Sequence, residues 1–523
     1  MRDFHFPGRS PVLGQEAMVA TSHPLAAQAA LSILDKGGNA MDAAIAGAIL
    51  LGFCEPQMTG LGGDCFALFS PAGTDEIKAF NGSGRAPAGL SAQALRDEGH
   101  TVIPPYSAAA VTIPGAVDGF CTLSKDWGSL PWADLLTPSI KYAKEGVPVA
   151  ARVAFDWQND EGTLQGDARD QFMPSGTPPK AGDVFKDPRQ VKLLEVLAAD
   201  GRDGFYKGAV AQEMVDTLNQ FGGTHTLDDF ARAKGDYTTP VSSIYGDLEV
   251  VEHPPNGHGV ISNLMLNMLK RFEISNMDPF GAERAHIEAE VAKLAYDARN
   301  RFVADGGDAA DYLMAQSTAD KLCDLIDPKQ AMPDPKAISE QVHKDTIYIT
   351  VVDKNRMSVS LIYSIFHGFG SGISTPNYGV LFQNRGAGFT LEAGHPNEAA
   401  GGKRPLHTII PGMIRKSGRV IMPFGVMGGA YQPNGHARLV SNMVDFGMDP
   451  QSAIDAPRSF SDAGAFKVER GYSEAVRRTL GEMGHSVVVP DTPIGGAQAI
   501  LIHDNGVLEG ASDPRKDGCA IGA

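Results

Sequence analysis

Thr346 opens the β-branched run of "KDTIYITVVD", directly after the polar, proline-punctuated segment "PDPKAISEQVHKD". A hydroxyl at the head of a strand is a candidate nucleophile, but strands favour threonine in general, so the residue type alone does not separate chemistry from structure. Glycines in "GLGGDCF" and "HGFGSG" can cradle an anion or bring backbone amides close to a ligand; taken singly, such stretches are more often turns. His253 and His258 in "HPPNGHG" stand five apart in a glycine- and proline-rich loop, a spacing that suits a structural loop better than a metal pair on one helix face. The chain has no GxSxG elbow, no GxxxxGK[ST] and no HExxH, which removes the commonest serine-hydrolase, P-loop and zincin chemistries.

The elements that must position these residues fall into two parts. Ser22 is placed to cap a helix through "PLAAQAALSILDK" that stops at Gly37-Gly38, and a second helix is expected from about Asn39 to Gly52. Both are apolar on most faces, as a layer packed on a sheet should be, and "GDCFALFS" and "EIKAFNG" supply strands. The middle of the chain reads as helical: "FYKGAVAQEMVDTLNQF", a Thr226-x-x-Asp229 start to "LDDFARAK", and the amphipathic "GAERAHIEAEVAKLAYDARNRFV". Strands then take over in "TIYITVVD", "SVSLIYSI" and "RVIMPFGVM", the first two joined by a turn at "DKNRM". A layered α/β arrangement of three or four layers follows, its second part starting near Thr346.

Composition bounds the partners. With 523 residues, 43% of them hydrophobic, the chain can build one large core or several smaller ones. A formal net charge of -17 without a clustered Lys/Arg run argues against nucleic acid and anionic membrane, leaving a small molecule as the natural partner. The longest apolar run, "AMDAAIAGAILLGF", is too short for a bilayer and contains Asp42. No secretory h-region is apparent, so a cytoplasmic location is expected. Five cysteines without CxxC spacing read as reduced thiols, with neither a disulfide framework nor a zinc site.

Several stretches together resemble the γ-glutamyltransferase family of N-terminal-nucleophile hydrolases. They run in order through nearly the whole chain: "MVATSHPLAAQAALSILDKGGNAMDAAIA", "TGLGGDCFALF", "VTIPGAVDGF", "GFYKGAVAQEMV", "KLAYDARNRF", "DTIYITVVD", "GFGSGI", "KRPLHTIIP", "VMGG" and "IDAPR". The resemblance implies an αββα sandwich made as a single-chain precursor that cleaves itself between Asp345 and Thr346. Residues 1–345 would form the large subunit and 346–523 the small one, intertwined in one globular unit. Thr346 would then carry nucleophile and base together, since a free α-amino group has a pKa of about 7.7–8.0. The resemblance also implies an oxyanion hole at Gly428-Gly429 and a hydrogen bond from Ser364 to the nucleophile. No cofactor and no metal are implied, because water and the threonine suffice. The composition leaves room for a homo-oligomer of the processed pair.

The pattern that holds a γ-glutamyl group in that family is mostly missing. The carboxylate-binding arginine position falls on Ser83, with Arg85 two residues on; the asparagine falls on Phe366, the glutamine on Arg385 and the amino-group-binding aspartate on Gly388. A serine pair is replaced by His407-Thr408, and Ile347 stands where the family has a second threonine. The ammonium anchor is thus lost while Arg85 and Arg385 keep anion recognition. "NGSGRAP" and "QNRGAGF", which includes Asn384, look like the branch of oxamate amidohydrolase and glutathione-hydrolase-like proteins. Substrate contacts are accordingly expected at Ser83, Arg85, Phe366, Asn384, Arg385, His407 and Thr408. The expected substrate is a small amide carrying a carboxylate, such as oxamate. A γ-glutamyl transferase or glutathione hydrolase with a rewired pocket, and an uncleaved anion-binding protein, are the alternatives.

Overall fold

The computed structural model describes residues 8–307, 309–333 and 346–523. Two seven-stranded sheets face each other, and helices cover both outer faces, giving the αββα sandwich. In one sheet the neighbouring strands Met18–Thr21, Ile347–Val352, Ser358–Ser364 and Asp64–Ser70 run antiparallel. The other sheet contains Gly496–Ile502, Arg419–Met427 and Pro411–Lys416 side by side. Between the sheets, Phe66, Tyr348, Ile362, Ile409 and Met427 form an apolar cluster.

The helix Pro24–Asp35 and the helix Ala40–Cys54 lie on the sheet that carries Thr346. Small residues let them approach: a Cβ added at Gly47 would sit 2.5 Å from Ile349 Cδ1. Asn39 caps the second helix in a capping box with Asp42, and Thr226 does the same with Asp229. The first cap differs from expectation. His23, not Ser22, is the N-cap, because Pro24 occupies the first helical position; Ser22 Oγ instead hydrogen-bonds the buried Glu55 carboxylate. The segment "FYKGAVAQEMVDTLNQF" is also not one helix, since it breaks at Lys207 between Pro188–Tyr206 and Gly208–Gln220.

The hairpin formed by Ile347–Val352 and Ser358–Ser364 is tied to the helical layer at its turn. Asp353 Oδ1 accepts from the amides of Asn355 (2.9 Å) and Met357 (3.1 Å), and Oδ2 accepts from Ala40 N at the second helix's start (3.0 Å). At the other end Ile347 pairs with Tyr363, which puts Thr346 opposite Ser364, and Ser364 pairs with Asp64. No described helix is long and apolar enough to cross a membrane.

Candidate active site

Thr346 is 1% exposed and heads the central strand Ile347–Val352, where both neighbours fix its position. Its Oγ1 donates to Ser364 Oγ across 3.4 Å. Ser364 Oγ also accepts from Arg385 Nη2 at 3.2 Å and from the amide of Phe366 at 2.9 Å. Arg385 Nη1 donates to Thr408 Oγ1 at 2.7 Å, and the guanidinium lies over the Phe366 ring, 4.0 Å from its centroid. A hydroxyl, a second hydroxyl and a fully buried cation therefore follow one another in a line.

Gly428 ends the strand Arg419–Met427 with φ 120°, and Gly429 follows with φ 56°. Both values belong to glycine, and a Cβ on Gly428 would lie 2.9 Å from Gly495 Cα. A cleft of about 710 Å³ opens beside Phe366 and Thr408, with Gly388, Phe389, Ile103 and Arg299 also on its wall.

The other expected contacts are placed differently. Arg85 does not join the line: its half-exposed side chain pairs with Asp305 at 3.1 Å and donates to Gly402 O. Ser83 is buried, donating to Asn81 Oδ1 at 2.6 Å. Asn384 ties two earlier segments together, donating to Pro105 O at 2.9 Å and accepting from His367 N at 3.2 Å. His407 has no exposed surface and its Nε2 meets Asp64 Oδ2 at 3.0 Å, so Thr408 is the member of that pair on the cleft. Asp345 lies outside the described residues. His253 stacks on Phe66 with its Nδ1 3.0 Å from Pro254 O, and His258 Nε2 bonds Thr408 O at 2.8 Å.

Sequence reasoning passed over Asp64. Its carboxylate is buried beneath the site and accepts from Gly84 N, Gly115 N and Gln383 Nε2, at 2.8, 3.2 and 2.9 Å. Burial pushes its pKa up to about 6, against the opposing pull of Arg385 and these donors. The only signal was an acidic residue inside the glycine run "GLGGDCF".

An αββα sandwich with a hydroxyl residue at the head of a central strand defines an N-terminal-nucleophile type of amidohydrolase or acyltransferase. The pattern described as Gamma-glutamyltranspeptidase matches residues 26–523, and the chain belongs to that family. It is 34% identical to the glutathione hydrolase-like YwrD proenzyme of Bacillus subtilis (strain 168), over 98% of this chain and 99% of that one. It is 33% identical to the oxamate amidohydrolase proenzyme of Klebsiella pneumoniae, over 97% and 98% respectively. The crystal structure of cephalosporin acylase from Bacillus halodurans superposes with a TM-score of 0.92 at 35% identity, covering 100% of this chain and 99% of that one.

Proposed function

We propose that the chain is a self-processing threonine amidohydrolase that hydrolyses a small amide next to a carboxylate, oxamate or a close relative, through an acyl-Thr346 intermediate. The observation that carries this reading is the hydrogen-bonded line from Thr346 through Ser364 to the buried Arg385. In this reading the Arg385 guanidinium, two hydrogen bonds from Thr346, meets the substrate carboxylate, a reach that suits a short substrate. The proenzyme names of its relatives support a precursor divided into 1–345 and 346–523.

Maturation in this reading starts with Thr346 Oγ1 attacking the Asp345 carbonyl; the peptide bond becomes an ester as the Thr346 amine is released, and water then opens the ester to give the Asp345 carboxylate and the free Thr346 hydroxyl. In turnover that amine takes the hydroxyl proton while the oxygen attacks the substrate amide carbon. Amides of Gly428 and Gly429 receive the negative oxygen, a contribution of about 10²–10³ in rate for one such donor. The leaving nitrogen departs as ammonia with the transferred proton. Water then hydrolyses the ester, so oxamate yields oxalate and restores Thr346.

A second reading rests on the cleft. Its volume of about 710 Å³ is in the range of drug-sized ligands and far exceeds oxamate. That favours an amide with a larger, partly apolar leaving amine, or a γ-glutamyl compound in an altered pocket, and the similarity to a structure described as a cephalosporin acylase supports looking beyond oxamate.

Denaturing mass spectrometry of wild type beside Thr346→Ala tests the common core. Two fragments from wild type, one beginning at Thr346, and an intact mutant are expected; two intact chains would move anion binding without catalysis to the front. Ammonia release from oxamate, measured against cleavage of a γ-glutamyl anilide, then separates the substrate readings.

A further inference from the structure

Acyl transfer as described gives Asp64 no task, yet its carboxylate is placed with care. It heads the strand Asp64–Ser70 opposite Ser364 and has no exposed surface. Its Oδ1 takes three donors from three separate loops, Gly84 N, Gly115 N and Gln383 Nε2, while Oδ2 meets His407. His407 Nδ1 accepts from Ile409 N at 3.4 Å, so Nε2 carries the ring proton and donates to Asp64. Burial, with Arg385, His253 and Arg404 nearby, keeps that ring neutral. The adjoining Cys65 thiol is held neutral by burial and by the Asp64 charge. Asp64 stands opposite Ser364 in the strand register and accepts from Gln383, two residues before Arg385, so its charge acts on a guanidinium that itself donates to Ser364 and Thr408.

Tying loops together needs only an acceptor, which a neutral amide would also supply. The charge has a separate effect. We infer that Asp64 is a positioning and specificity-determining residue whose negative charge balances Arg385 and so limits how tightly the site holds a carboxylate. The inference rests on the proposed role of Arg385. Its chemical logic lies in the product: hydrolysis converts a neutral amide into a second carboxylate at the same place, and an uncompensated buried arginine would hold that dianion more tightly than the substrate. Binding strength shared by substrate and product does not raise turnover.

Calorimetric titration of oxalate into the processed wild type and the processed Asp64→Asn protein tests this at pH 7 and pH 5. The Thr346 amine, titrating near 7.7–8.0, is largely protonated at both values and is common to the two proteins. Wild type should bind oxalate about tenfold more tightly at pH 5, where Asp64 takes up a proton, than at pH 7. Asp64→Asn should bind tightly at both, with KM for oxamate lowered and oxalate inhibition strengthened. Equal affinity and equal pH dependence in the two proteins would overturn the role of Asp64 while leaving the proposed function intact. Absence of binding to either, with Arg385→Gln as active as wild type, would overturn the anion reading of Arg385 and this inference with it. If Asp64→Asn fails to fold or process, the wild-type series decides alone: no tightening between pH 7 and pH 5 refutes the inference.

Discussion

Arg385 lies face-on over Phe366, its guanidinium carbon 4.0 Å from the ring centroid. Phe366 presents the ring from φ 83°, a backbone state that costs a residue with a Cβ about 1–3 kcal/mol and persists only where the surroundings hold it. The holding contact is its amide on Ser364 Oγ at 2.9 Å. Stacking and the two hydroxyl contacts fix the plane of the guanidinium, which a lysine cannot reproduce. Arg385→Lys should therefore raise KM for oxamate by about 10–100-fold, the worth of a charge-assisted hydrogen bond, with a smaller effect on kcat. Steady-state kinetics separate the two parameters, and a loss confined to kcat would place the arginine at the transition state instead.

Ser364 joins three parts of the site through one oxygen: Thr346 Oγ1 at 3.4 Å, Arg385 at 3.2 Å and the Phe366 amide at 2.9 Å. Ser364→Ala removes an acceptor from a buried amide and one of the acceptors of a buried cation, each loss worth about 1–3 kcal/mol. Conversion of precursor to fragments should slow, and kcat on the processed protein should fall by about 10–100-fold. A time course on denaturing gels with kcat on the surviving dimer of fragments measures both. Wild-type rates in each would exclude Ser364 from the chemistry.

Gly428 combines φ 120° with a neighbour, Gly495 Cα, 2.9 Å from where a Cβ would stand. The contact is backbone, so it cannot swing aside. Gly428→Ala should lower the melting temperature and displace the amides proposed to receive the negative oxygen, with a loss of about 10²–10³ in kcat. Thermal unfolding and kcat measured on the same preparation distinguish a displaced donor from simple unfolding.

What could be read from the sequence is what local chemistry dictates. The β-branched run after Thr346, the hairpin turn at Asp353, the helix start near Asn39 and the Thr226-x-x-Asp229 cap all depend on residues within a few positions of one another. Ser22 was misread for a local reason too, because Pro24 at the first helical position already marks His23 as the cap. The two arginines show where such reading stops. Arg85 and Arg385 are equally plausible anion partners by type, and only the fold pairs Arg85 with Asp305, 220 residues away. Asp64 was invisible for the same reason, since its donors come from positions 84, 115, 383 and 407.

Acid sensitivity follows from three buried histidines. Burial lowers His23, His225 and His253 from 6.5 to about 4 in the folded protein. His23 Nε2 and His225 Nδ1 have no hydrogen-bond partner, so a second ring proton there would be buried with no acceptor. The unfolded chain binds protons at these residues below pH 6.5 while the folded chain does not, so stability rises with pH through this window. Their contribution is complete above about pH 6.5 and is lost as pH falls toward 4, at most about 3 kcal/mol for each. The urea midpoint should accordingly drop between pH 6.5 and pH 4. His253→Gln, which cannot take up the proton, should flatten that decline, although losing the stack on Phe66 lowers its midpoint at pH 7.5. Parallel wild-type and variant midpoints across the whole range would show that His253 is not among the groups whose protonation unfolds the protein.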